Sequence, residues 1–183
     1  MCGIVGAAAQ RNVIPILVEG LKRLEYRGYD SAGVAVIDAS HKLLLERAVG
    51  KVAQLQAQLQ AQSKSGTTGI AHTRWATHGV PAERNSHPHY SRDVAVVHNG
   101  IIENHEELRG ELQAAGYQFN SETDTEVAAH LVQHYMDQGQ DLRAAVQKAV
   151  ARFHGAYALA VISAAAPGRM LLARKGSPLC IGI

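Results

Sequence analysis

Along this chain the spacing of apolar residues switches between two periods, and each switch marks an element. Gly3 to Ala9 is a short, small, apolar run that reads as a strand, after which Ile14, Leu17, Val18, Leu21 and Leu24 recur at the i, i+3, i+4 spacing of a helix. The turn-rich stretch Tyr26 to Gly33 ends that helix. Val34 to Ile37 and Leu43 to Arg47 then read as strands joined around Asp38 to Lys42, most simply as a β-hairpin. Val52, Leu55 and Leu59 mark a short amphipathic helix whose glutamines face solvent, ending before Ser63 to Gly66. Thr67 to Thr73 and Asp93 to His98 are β-type runs flanking a polar segment, Trp75 to Arg92, which has no clear period and reads as a functional loop.

Three helical patterns follow. One runs from Asn104 through Leu108 and Leu112 to Gly116. A second starts at Thr123, where Glu126 completes a capping-box spacing and Val127, Leu131 and Tyr135 form a buried stripe with Ala128, Val132 and Met136 beside it. The third covers about Leu142 to Phe153 and buries Ala145, Val146, Ala149 and Val150. Ala156 to Ser163 and Met170 to Arg174 then pair across Pro167 and Gly168. Strands, helices and strands without regular βαβ alternation favour an α+β domain, a mixed or antiparallel sheet core with helices on its faces, over a doubly wound α/β fold. No repeat or linker divides residues 1–183. The chain stops at Leu179 to Ile183, inside what reads as another strand, so the natural protein is expected to continue.

Composition narrows the function classes. With 183 residues, 46% of them hydrophobic, the chain is long enough for a core and too apolar for disorder. Eighteen bases against sixteen acids leave a net charge of +2, with no basic stripe for a phosphate backbone, so nucleic acid is not an expected partner. No signal-peptide pattern or long apolar run points to secretion or a membrane. Two cysteines, Cys2 and Cys180, make no disulfide framework and suit a reducing, cytoplasmic setting; Cys180 reads as a small core residue.

Cys2 carries the most chemical information. A small residue after the initiator lets Met1 be removed, which leaves a cysteine holding a thiol and a free α-amine of ordinary pKa ~7.7 to 8.0, nucleophile and base in one residue. With Met1 retained that nitrogen is an amide, and the chain would bind without hydrolysing. The plain alternative is an accidental start residue in a buried strand. Gly3 and Gly6 leave room around the thiol. Arg74, followed by Trp75, lies where a strand becomes the long loop, able to hold a carboxylate bidentately or to serve as a structural ion-pair partner. Asn99 and Gly100 offer a side-chain amide and a backbone N–H as oxyanion donors, or a type I′ turn. Ser121 to Glu126 presents Asp124 to an ammonium group, or to a helix N-terminus. His87 and His89, with His72, His78 and His98, could form a zinc set, but no cysteine or ordered His-x-x-x-His spacing joins them, so neither metal nor cofactor is expected.

These stretches together resemble a known family. Cys2 to Gly6, YRGYDSAG at Tyr26 to Gly33, HTRWATHG at His72 to Gly79, SHPH at Ser86 to His89, VHNGIIEN at Val97 to Asn104 and SETDTE at Ser121 to Glu126 resemble the class II glutamine amidotransferases. The similarity is greatest to the glutaminase domains of the glutamine:fructose-6-phosphate aminotransferase family, with another class II branch such as amidophosphoribosyltransferase as the alternative. The resemblance implies an N-terminal-nucleophile fold, a four-layer αββα sandwich of two mainly antiparallel sheets with helices outside. It implies that Cys2 attacks L-glutamine with its own amine as base, that Asn99 and Gly100 form the oxyanion hole, and that Arg74, helped by Thr77 and His78, holds the α-carboxylate. By the same resemblance Asp124 binds the α-ammonium, Trp75 lies on the loop that closes over glutamine, and Arg27 supports the site. Ammonia would pass to a C-terminal sugar-phosphate isomerase domain, absent from these residues, and the complete protein would be a homo-oligomer.

Overall fold

The computed structural model describes residues 2–75 and 80–182. Among these residues, eight strands and five α-helices build two four-stranded sheets with the helices outside. In the first sheet the order is β1 (Gly3–Ala8), β4 (Thr68–Arg74), β2 (Ser31–Ile37), β3 (Leu43–Val49); in the second it is β5 (His89–Ser91), β6 (Val94–Gly100), β7 (Tyr157–Ser163), β8 (Met170–Lys175). Every pairing between these strands is antiparallel.

Strand alternation divides the core into three apolar layers. From β2, Val34 and Val36 face outward, where they pack with Leu17, Leu21 and Leu55 of α1 (Ile14–Leu24) and α2 (Val52–Ala61). Ala35 and Ile37 point inward and meet Ala95 and Val97 of β6 and Ala160 and Ile162 of β7 between the sheets. Val94, Val96, Leu159 and Val161 face the other way, beneath α3 (His105–Ala114), α4 (Thr125–Asp137) and α5 (Leu142–Arg152). Strands buried on both faces have near-continuous apolar runs, and for that reason β2, β6 and β7 lack the clean alternation of a half-exposed strand. The αββα arrangement is the fold the family resemblance implies.

Local chemistry sets the boundaries. Between β2 and β3 the hairpin turns on Asp38, whose carboxylate accepts from the backbone N–H of Ser40 at 2.8 Å and of Lys42 at 2.9 Å. Several sequence expectations are corrected. The long loop contains the short strand β5, whose three residues are too few to show a period. Leu179 to Gly182 does not form a strand, and Cys180 is exposed, not in the core. Glu126 does not close a capping box: α4 begins at Thr125 with Asp124 at its N-cap, and the Glu126 carboxylate reaches back to the Asn120 and Ser121 N–H groups at 2.9 and 2.7 Å. No helix among the described residues is long and apolar enough to cross a membrane.

Candidate active site

Antiparallel pairing brings the start of β1 and the ends of β4 and β6 to one end of the sandwich. Gly3 is the register partner of Thr73, which sets Cys2 beside the residues that leave β4. There the Trp75 N–H donates to Cys2 Sγ at 3.2 Å. Across the gap between sheets, the Asn99 Nδ2 group donates to the Cys2 carbonyl oxygen at 3.4 Å. Cys2, Arg74, Asn99, Gly100 and Asp124 all line one cavity of about 80 Å³. A larger cavity of about 700 Å³ lies elsewhere, and among its described lining residues are none of Cys2, Arg74, Asn99, Gly100 and Asp124. The smaller one gathers the reactive groups.

Asn99 and Gly100 end β6 in register with Ala158 and Tyr157, so they are strand residues and not a type I′ turn. Gly100 has φ 128°, and a Cβ there would lie 2.2 Å from the Ala156 carbonyl oxygen, which restricts the position to glycine. Arg74 is 4% exposed, with Nη1 3.5 Å from Asp30 Oδ1, so its guanidinium both lines the cavity and is ion-paired. Asp124 uses Oδ2 to accept the Ile102 N–H at 2.8 Å, which ties the N-terminus of α4 to the segment after β6. Trp75 is half-exposed and its ring covers Gly28: a Cβ on that glycine, at φ 74°, would lie 2.5 Å from the indole. Arg27 lies on the short turn before Gly28, exposed, with its guanidinium near Tyr26, and is not among the described residues that line the cavity. Thr77 and His78 lie outside the described residues.

Beneath these groups is a buried polar layer to which sequence reasoning assigned no role. His72, His87, His89 and His98 are all buried. Burial, together with neighbouring cationic groups, pushes the His72 imidazole down to about 4 and His87 well below its ordinary value; burial also lowers His98, against the pull of Asp124, and lowers His89 to about 3, against the pull of Glu126. The rings are therefore neutral near pH 7. His87 Nε2 and His98 Nδ1 both meet Thr125 Oγ1 at 2.9 Å, and His89 Nε2 meets Thr123 Oγ1 at 2.9 Å. The motifs SHPH and VHNG contain these histidines, but their partners come from α4 and the turn before it, and no sequence spacing announces that meeting.

Residues 72–181 match the glutamine amidotransferase domain family, a span of more than half the chain: the chain belongs to that family. Among curated proteins, the "Glutamine--fructose-6-phosphate aminotransferase [isomerizing]" of Pseudomonas aeruginosa is 62% identical over 184 aligned positions and that of Pseudomonas putida 60%. Each alignment takes in 100% of this chain and 30% of the relative, so the chain spans under a third of their length. Among solved structures, the glutamine phosphoribosylpyrophosphate amidotransferase of B. subtilis, complexed with ADP and GMP, superposes with a TM-score of 0.75 at 25% identity, over 90% of this chain and 35% of that one.

Proposed function

We propose that this domain hydrolyses L-glutamine to glutamate and ammonia through a γ-glutamyl thioester on Cys2. The observation that carries this reading is the single cavity bordered by the Cys2 thiol, the Asn99 amide, the Arg74 guanidinium and the Asp124 carboxylate. Each matches one part of glutamine: a carbonyl carbon to attack, an oxyanion to stabilise, an α-carboxylate and an α-ammonium to hold. Removal of Met1 frees the Cys2 amine, which takes the thiol proton as sulfur attacks the side-chain carbonyl carbon. Asn99 Nδ2 and the Gly100 N–H receive the developing negative charge. The protonated amine then gives its proton to the departing nitrogen, ammonia leaves, and water cleaves the thioester to glutamate. Arg74, with Thr77 and His78, orients the substrate from its carboxylate end, Trp75 covers it, and Arg27 supports the turn under Trp75.

In the complete protein the ammonia is delivered to a C-terminal sugar-phosphate isomerase domain that converts fructose 6-phosphate to glucosamine 6-phosphate, in a homo-oligomer of the cytoplasm. The names and greater length of the relatives at 60 to 62% identity support that assignment. The free thiols of Cys2 and Cys180 suit the compartment. The test is to supply the Met-free chain with glutamine and fructose 6-phosphate and to measure glutamate by coupled assay and amino sugar by mass spectrometry. Glutamate without amino sugar is expected, and Cys2→Ala abolishes it. Amino sugar from the homogeneous chain would overturn the division of labour, and folded, Met-free chain that yields no glutamate would favour glutamine binding without hydrolysis.

A further inference from the structure

The Asn99 amide can serve as an oxyanion donor in only one of its two orientations. With Nδ2 toward Cys2 it donates; turned through 180°, it would present a carbonyl oxygen to the charge it is meant to stabilise. Rotation about the terminal torsion of an asparagine is soft, so β6 alone does not select between the two. The selection comes from the facing sheet.

His72, on β4, is fully buried, and its Nε2 lies 2.8 Å from Asn99 Oδ1 and 3.1 Å from the His98 carbonyl oxygen. A backbone carbonyl only accepts, so Nε2 carries the ring proton. A ring N–H cannot receive a bond from an amide NH2 group, so the Asn99 atom that faces it is oxygen. Nδ2 is then left pointing at Cys2, as the 3.4 Å contact to the Cys2 carbonyl records. The ring that makes this choice is itself held: it stacks on His87 with centroids 4.1 Å apart, and His87 is anchored on Thr125. Its other nitrogen, Nδ1, is buried with no hydrogen-bond partner among the described residues. An apolar side chain at this depth would avoid that cost, so the imidazole contributes something other than core stability.

We propose that His72 is the positioning residue of the oxyanion donor, its Nε2–H locking the Asn99 amide with Nδ2 toward the reacting carbonyl. The proposal rests on the oxyanion role given to Asn99 above. Burial keeps the imidazole neutral near pH 7, which leaves a single proton for Nε2.

The test is glutaminase kinetics on His72→Gln, His72→Asn and His72→Phe, each made also in the Asn99→Ala background, with folding followed by thermal melting. Glutamine at this position carries an N–H donor about as far along the side chain as Nε2, whereas asparagine is equally polar and too short. Asn99→Ala alone should lower kcat by about 10² to 10³, the loss seen when one preorganised oxyanion donor is removed. His72→Phe and His72→Asn should lower kcat by about 10- to 100-fold with KM little changed, a smaller loss because the amide is misdirected and not deleted. His72→Gln should recover at least about tenfold over His72→Asn. In the Asn99→Ala background the substitutions at His72 should cost nothing further, because no amide is left to orient. Equal losses in both backgrounds, or equal kcat for the Gln and Asn variants, would overturn the positioning role while leaving Asn99 in place. A normal kcat for Asn99→Ala would instead remove the oxyanion reading, and the positioning role with it. The Gln and Asn pair decides the matter even where His72→Phe fails to fold.

Discussion

Arg74 serves two carboxylates in this account, that of Asp30 at 3.5 Å and that of glutamine. Lysine at this position could keep a point charge near Asp30, but an ammonium has no planar fork to hold a second carboxylate through two parallel bonds. Arg74→Lys is therefore expected to raise KM for glutamine and to cost about 1.5 to 3 kcal/mol in kcat/KM, the scale of a charged hydrogen bond, with little change in melting temperature. Steady-state kinetics check this; an unchanged KM would confine Arg74 to its ion pair with Asp30. At this scale the residues that border the cavity were legible, because a second-position cysteine, an arginine at a strand end and an Asn-Gly pair each have few chemical uses. The residues that support them were not. His72, His87 and Thr125 gain their roles from contacts across sheets and onto a helix, and those contacts depend on three-dimensional register that no local spacing encodes.

The element that places Asp124 is the turn before α4, and its lock is Glu126. The Thr123 to Glu126 spacing suggested a capping box, but the carboxylate instead accepts from the Asn120 and Ser121 N–H groups and from the Ser121 hydroxyl at 2.6 Å. The same spacing fits both arrangements, and the loop bound to Glu126 prevailed because it gives three donors to one buried carboxylate. Burial by itself would raise the Glu126 carboxyl, yet the His130 imidazole 3.6 Å away and hydrogen bonds from Ser121 and Asn120 outweigh it and hold the group down at about 2. Glu126→Gln is expected to lower unfolding stability by about 1.5 to 3 kcal/mol, since these are bonds to a charged acceptor, and to raise KM for glutamine as the turn carrying Asp124 loosens. Urea denaturation and kinetics on the same variant check both; an unaltered midpoint would mean that the turn holds without the charge.

At the scale of the whole molecule, the buried histidines between and beneath the sheets make stability depend on pH. In the unfolded chain a histidine titrates near ~6.5. Folded, His72 is pushed down to about 4 and His89 to about 3, and His87 and His98 are lowered as well, in each case chiefly by burial. Below ~6.5 the unfolded chain therefore binds protons that the folded chain does not, so stability is full above that pH and falls as pH drops toward the folded values. Each histidine contributes a slope of about 1.4 kcal/mol per pH unit within its window. Glu126 acts in the same sense but only below its ordinary value, at more acid pH. Thermal melts are expected to show a melting temperature that holds above about pH 7 and declines steeply from about 6.5 to 5; a flat profile would mean that the rings are hydrated or charged in the fold. An antiparallel sheet core with helices on its faces was legible, since element order disfavours regular βαβ alternation, whereas the four layers were given only by the family resemblance. Which strand ends meet was not, because antiparallel register is fixed by packing partners far apart in sequence, as with Cys2 and Asn99.

The central claim, that Cys2 is the nucleophile acting on glutamine, is tested most directly by intact-mass and peptide mapping after exposure of the Met-free chain to a diazo-ketone analogue of glutamine. The structure offers the reagent two thiols: Cys2, partly buried in the cavity beside Asn99 and Arg74, and Cys180, exposed and remote from those groups in sequence. Exposure alone would favour Cys180. The account predicts a single adduct, on Cys2, whose formation is suppressed by L-glutamine; an adduct on Cys180 with Cys2 unmodified, or labelling that glutamine does not suppress, would contradict it.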